Sequence, residues 1–187
     1  MPLPSLPRVF NRRIELSEQY AAENYKGLVE FAGKFGTPLA SHDDTTVEQA
    51  IKDRVAIAEF PTNIPSAEGL HANDIKVMMG APNLVRGGSH SGNVATAALA
   101  RAGLVDLMSS DYVPPSLLLA ALMLPKEALN YDLPAAMRTV SKTPAEAVGL
   151  TDRGEIAIGR RADVIRVHVA PEGAAVRSVW SGGRRVA

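Results

Sequence analysis

The chain has 187 residues, of which 46% are hydrophobic and 21% charged, with 20 basic and 20 acidic side chains and a formal net charge of zero. That composition belongs to an ordinary soluble globular protein long enough for one well-buried core. It offers no basic stripe for nucleic acid and no charged tail for a membrane surface. Cysteine is absent, so there is no disulfide framework, which suits a reducing compartment. The N-terminus, MPLPSLPRVFNRR, lacks the apolar centre of a signal peptide, and no apolar run approaches the ~20 residues of a membrane span. The location expected is the cytoplasm.

In chain order, Met1 to Phe10 carries three prolines and reads as a loose lead-in. Glu15 to Lys34 has helical periodicity, with Gly36 as its stop. Pro38 to Ser41 is a short strand that delivers SHDDTT, and Thr46 to Lys52 is a short helix. Arg54 to Phe60 is a second strand ending in PTN, Ile64 to Ala72 a turn or helix, and Ile75 to Met79 a third strand. Val94 to Ala102 reads as helix and Leu104 to Met108 as a fourth strand delivering SSDYVPPS. Leu117–Leu124, Ala135–Val140 and Pro144–Val148 are helical pieces separated by prolines. Strands alternating with helices predict a parallel α/β fold, whose active site gathers at the C-terminal ends of the strands. From Gly154 onward, short β-branched runs at 156–158, 164–169, 176–180 and 184–186 alternate with glycines, which predicts a small antiparallel sheet. The division expected is a lead-in over 1–13, an α/β body over 14–150 and a β tail over 151–187.

The most informative stretch is Gly80 to Asn93, GAPNLVRGGSHSGN. It reads as a strand-to-helix loop in which Gly87 and Gly88 leave backbone N–H groups unshielded. Ser91 or Asn93 can cap the following helix, and Arg86 and His90 add side-chain donors. Such parts can hold a phosphate or polyphosphate; the alternative is a glycine-rich turn with a good cap. The glycine spacing fits neither a P-loop nor a dinucleotide fingerprint.

Other polar residues fall at the strand ends. His42 is either a metal ligand, with Asp43 or Asp44 holding its ring or capping the next helix, or part of a surface cluster. Asp111 is either a ligand or general base at a strand end, or a turn residue before Pro114 and Pro115. Glu59 lies in an apolar strand and must find a partner or water. His71 and His168 have no converging polar neighbours in sequence and read as structural.

Taken together, SHDDTT, EFPTN, MGAPNLVRGGSHSGN and SSDYVP, in this order and spacing, resemble the α-D-ribose 1-methylphosphonate 5-triphosphate diphosphatases of the carbon–phosphorus lyase pathway. These are members of the amidohydrolase superfamily. The tail (PAEAVGL…GEIAIGRRADVI…VWSGGRRVA) resembles the C-terminal end of that superfamily, and the likeness extends over about Ile14 to Ala187. The resemblance implies a (β/α)₈ metallo-dependent hydrolase barrel with a small β-domain and two divalent metal ions (zinc, manganese or magnesium). It implies hydrolysis of the sugar triphosphate to the 5-phosphate and pyrophosphate. Residue by residue, it makes His42 and Asp111 metal ligands, Asp111 also the handler of the water proton, and Arg86, Ser89, His90 and Asn93 the polyphosphate-binding loop.

Such a barrel takes eight strands and ~250 residues, whereas this sequence offers four strands and the tail. The His–x–His of the family's first strand, its mid-barrel bridging ligand and a further His before SHDD have no match. The expectation is therefore a partial barrel, the C-terminal half, acting with a separately encoded N-terminal half or as a homodimer. An open half-barrel predicts dimerisation or poor solubility of the isolated chain. The alternative is a non-catalytic remnant that binds polyphosphate or a partner.

Overall fold

A computed structural model describes residues 6–89, 92–126 and 129–187. The chain divides into two units, Met1–Leu39 and Ala40–Ala187.

The first unit is dominated by one long helix, α1 (Leu6–Phe35). It starts at Leu6, where the sequence pattern placed the start at Glu15. Pro7 falls in its first turn, where proline needs no N–H partner, so this proline opens the helix instead of preceding it. Gly36 ends it at φ +65°. The Thr37 N–H then reaches back to the Ala32 carbonyl at 3.0 Å, the long bond of a Schellman cap. Phe10, Ile14, Leu28, Phe31 and Phe35 on this helix are exposed.

The second unit contains a four-stranded parallel sheet in the order β1 (Ala40–His42), β2 (Ile57–Glu59), β3 (Lys76–Gly80), β4 (Leu107–Ser109). Short helices run between and after the strands: α2 (Glu48–Lys52), α3 (Ile64–Ala72), α4 (Ala81–Arg86), α5 (Thr96–Arg101), α6 (Ser116–Met123), α7 (Leu133–Arg138) and α8 (Lys142–Ala147). The α/β alternation and the parallel sheet agree with the sequence reading. Two of the helices start on the same device: Asn63 accepts the Ser66 N–H at 2.8 Å and Asp132 accepts that of Ala135 at 2.7 Å, each followed by proline in the first turn. Ala58, Val77, Met79 and Leu107 of the sheet pack into a core with Leu70, Leu99, Leu124 and Leu129, all nearly inaccessible to solvent. Burying apolar surface at about 25 cal/mol per Å² makes this layer the main source of stability.

The N-terminal end of the sheet is pinned by polar groups. Asp106 stands in for a strand partner, accepting the Val77 N–H at 2.9 Å on one oxygen. Its other oxygen faces Lys76 Nζ at 3.5 Å and His71 Nε2 at 3.7 Å. His71 therefore has a polar partner that its sequence neighbours did not reveal, and its place here supports the structural reading. Nearby, the Tyr131 hydroxyl donates to the Val105 carbonyl at 2.7 Å and accepts the Val105 N–H at 3.1 Å. Burial pushes the phenol up from 10.0 to about 12. Because the folded value is raised, this stabilisation is fully present below pH 10 and is lost as pH climbs towards 12. Tyr131→Phe leaves both Val105 groups unpaired and is expected to cost about 1–3 kcal/mol. Thermal melts should show the wild-type midpoint converging on that of the variant between pH 10 and 12; parallel curves through that window would contradict the clamp.

The tail forms an antiparallel sheet, β5 (Val164–Ala170), β6 (Gly173–Ser181) and β7 (Arg184–Arg185). The segment 156–158 is not a strand as its composition predicted. Ile156 and Ile158 lie exposed between Gly154 and Gly159, both at positive φ, and among the described residues no strand pairs with them. No described helix is long and apolar enough to cross a membrane.

Candidate functional site

Three of the four parallel strands end in a polar residue, His42, Glu59 and Ser109, while β3 ends in Gly80; polar side chains at the C-terminal ends of parallel strands are where a site is expected. The ladder runs one residue past β1 and β2: the Asp43 N–H donates to the Glu59 carbonyl and the Phe60 N–H to the Met78 carbonyl, both at 2.9 Å. Immediately beyond, the backbone turns through the left-handed region at Asp43 (φ +57°) and Phe60 (φ +56°), and again at Asp111 (φ +49°) after β4. Aspartate tolerates that conformation; a bulky phenylalanine seldom does. Such strain gathers where a side chain must be aimed.

Register decides what His42 meets. It pairs with Glu59 across β1 and β2, so the Glu59 carboxylate lies 3.7 Å from His42 Nε2 while Asp43 faces Nδ1 at 3.0 Å. Phe60 meets the imidazole edge-on at 5.4 Å between centroids. Glu59 thus has the partner that its apolar strand demanded. Asp43 holds the ring and Asp44 accepts from the Ser41 hydroxyl. Neither caps α2, whose N-cap is Val47 without a side-chain bond.

The glycine-rich stretch differs from expectation in three respects. Its first part is helix: Pro82 opens α4 and Gly87, at φ +83°, closes it. Secondly, the Gly87 and Gly88 N–H groups are not open to a ligand. They donate to the Leu84 and Asn83 carbonyls at 3.1 and 2.9 Å, capping α4. Thirdly, the N-cap of α5 is Ala95, without a cap from Asn93, and the Thr96 N–H is taken by the Asn83 side chain at 2.9 Å. Ser91 and His90 lie outside the described residues. The Gly87 and Gly88 amides that the sequence left free for an anion are thus taken by the chain itself.

Those side chains converge. His42, Arg86, Ser89, Asn93 and Asp111 all line one cavity of about 310 Å³, together with Asp43, Asn83 and Tyr112. Its apolar walls are Phe60, Pro61, Met79, Pro82 and Val94, a mixture typical of small-ligand sites. The Arg86 guanidinium lies over the Tyr112 ring at 5.9 Å, a cation–π contact that aims it. Gly80 gives the cavity its floor: a β-carbon there would sit 3.1 Å from the Phe60 ring and 3.8 Å from an Asp111 carboxylate oxygen. Phe60 and Tyr112 were present in the EFPTN and SSDYVP motifs but carry no titratable chemistry to single them out from sequence.

The described donor set does not make a binuclear metal centre. His42 and Asp111 share the cavity, yet among the described residues no group of three or more His, Cys, Asp or Glu side chains could hold a metal ion. Both ring nitrogens of His42 already face carboxylates.

A model of the Amidohydrolase family matches residues 11–187. The chain is 42% identical over 178 residues to the alpha-D-ribose 1-methylphosphonate 5-triphosphate diphosphatase of Escherichia coli (strain K12), a match covering 93% of this chain and 47% of that protein. It therefore spans about half the length of the curated relative it matches. Among solved structures, an amidohydrolase from Thermotoga maritima MSB8 superposes with a TM-score of 0.65 at 19% identity, covering 100% of this chain and 61% of the other. The A. niger ochratoxinase superposes with a TM-score of 0.60 at 16% identity, covering 84% and 43%; at such identities the likeness concerns the fold alone. On the family match and the E. coli relative together, the chain belongs to the Amidohydrolase family.

Proposed function

We infer that this chain carries the polyphosphate-binding part of a metal-dependent hydrolase site that converts α-D-ribose 1-methylphosphonate 5-triphosphate to the 5-phosphate and pyrophosphate. The observation that carries the reading is the convergence of His42, Arg86, Ser89, Asn93 and Asp111 on one cavity. The 42% identity to a diphosphatase of that substrate supports it.

In this reading Arg86 binds phosphoryl oxygens through charge-assisted hydrogen bonds, with Ser89 and Asn93 as neutral donors at its side. Phosphoryl transfer calls for positioning and charge neutralisation more than covalent chemistry, which suits a guanidinium held on the Tyr112 ring. Asp111 is the residue assigned to the water proton, and His42 stands across the cavity with its ring fixed by Asp43. The family's divalent cations, whether zinc, manganese or magnesium, would require ligands beyond the described residues of this chain. A second reading, binding without turnover, is favoured by that same shortage of metal-holding groups.

Calorimetric titration with the ribose 5-triphosphate and with its 5-phosphate tests the shared claim. The triphosphate is expected to bind at least about tenfold more tightly, since one extra charge-assisted contact is worth about 1.5–3 kcal/mol. Equal affinities would refute a polyphosphate site. Phosphorus NMR of the same mixture separates the two readings, because only an enzyme releases pyrophosphate.

A further inference from the structure

We propose that Phe60 is a specificity-determining residue of the cavity: its ring is the surface on which the pentose of a sugar polyphosphate lies, away from the Arg86 end that takes the phosphates. The proposal rests on the polyphosphate reading and adds to it the uncharged part of the ligand and the way round it binds.

Two features of the backbone serve this one ring. Phe60 stands at φ +56°, although bulky side chains avoid that region and a residue before proline, here Pro61, ordinarily takes an extended backbone. Gly80 has φ −72° and ψ 123°, a conformation open to any residue. Its lack of a side chain is therefore a matter of space. A β-carbon at Gly80 would lie 3.1 and 3.5 Å from two atoms of the Phe60 ring, so glycine lets the ring settle against the cavity floor. Strain at one residue and an absent side chain at another thus converge on placing a single aromatic ring in the wall. Among the apolar wall residues, Pro61, Met79 and Pro82 are buried, whereas Phe60 is half-buried and keeps part of its surface accessible.

Chemistry separates the two ends of the cavity. The face of a benzene ring is the negative side of its quadrupole, so it offers nothing to phosphoryl oxygens and suits C–H surface. Tyr112 already spends its ring on the Arg86 guanidinium at 5.9 Å, which makes that end the anion end. Phe60 follows β2, whereas Tyr112 follows β4, two strands further along the sheet. Adjacent strands lie about 4.8 Å apart, so the ends of β2 and β4 are separated by about 10 Å. A ligand that touches both is longer than one phosphoryl group. A phosphorylated pentose has the two parts required, a C–H face for Phe60 and charged oxygens for Arg86.

Calorimetry with two probes, inorganic tripolyphosphate and α-D-ribose 1-methylphosphonate 5-triphosphate, tests this on the wild type, Phe60→Ala and Phe60→Leu. The readout is the preference for the sugar ester, the ratio of the two dissociation constants. Phe60→Ala should lower that preference at least about tenfold, the worth of one buried ring contact. Phe60→Leu keeps apolar bulk without a planar face and should lower it by less. A preference unchanged in both variants overturns the proposal and leaves the polyphosphate reading standing. Equal weakening of both probes overturns it too, because the ring also meets the His42 imidazole at 5.4 Å and a mere prop for His42 would favour neither ligand. Failure of the wild type to bind either probe overturns both readings. Melting midpoints are recorded alongside; should Phe60→Ala unfold at the assay temperature, Phe60→Leu decides, and an unchanged preference in it refutes the proposal.

Discussion

Replacing Arg86 by alanine should weaken binding of inorganic tripolyphosphate by about 10- to 100-fold, the equivalent of one or two charge-assisted hydrogen bonds. The side chain is exposed at the cavity and ends α4, so its removal opens no hole in the core and the thermal midpoint should hold. The expectation is sharpened by what the backbone does nearby. Because the Gly87 and Gly88 N–H groups close α4, they cannot compensate for a missing guanidinium. Arg86→Lys should recover only part of the loss, since a lysine ammonium offers a point charge in place of a planar fork. Calorimetry on the three proteins decides the matter, and unchanged affinity in the alanine variant would remove the loop from the site.

The largest effect on stability is expected at Gly154. Its φ is +93°, and a β-carbon there would lie 2.7 Å from the Lys142 α-carbon, 3.1 Å from the Ser141 carbonyl oxygen and 3.2 Å from the Ala145 β-carbon. The nearest of these is backbone, which cannot swing aside as a flexible side chain would. Gly154→Ala combines a left-handed residue with overpacking and should cost about 3 kcal/mol. For a chain of this length that corresponds to a fall on the order of 6–12 °C in melting midpoint. The joint matters because the tail is tied to α8 at this point. Lys142 Nζ lies 2.6 Å from Glu155, whose other oxygen meets Arg160 at 3.3 Å, and the Lys142 bond holds the Glu155 carboxyl below its usual range. A midpoint unmoved by Gly154→Ala would show that the tail can part from α8 freely.

Much of this architecture was legible in the sequence, for local reasons. Apolar runs of β-branched and small residues bounded by polar clusters marked the four parallel strands, and the residues after them fell where the cavity lies. Helix α4 is hidden in the sequence by the glycines of Gly80–Asn93, which read as a loop. Pro82 and Gly87 were in fact its start and stop signals. Other features depend on contacts that sequence spacing does not carry. Asn83 caps α5 from 13 residues away, and the Glu59–His42 encounter exists only because β1 and β2 adopt one particular register. His71 likewise meets Asp106 through the fold. The tail shows the reverse error. Ile156 and Ile158 have strand propensity, but a strand needs a neighbour, and context overrides propensity.

Under the proposed function, a polyphosphate binds in the cavity lined by Arg86, Ser89, Asn93, Asp111 and Tyr112. A ¹⁵N-labelled chain titrated with inorganic tripolyphosphate tests it most directly by amide chemical shifts. Saturable shifts are expected at residues 86–89, at Asn93 and at Asp111 and Tyr112. Shifts centred instead on the exposed arginines of the tail, Arg160, Arg161, Arg184 and Arg185, would mean the anion follows surface charge and would contradict it.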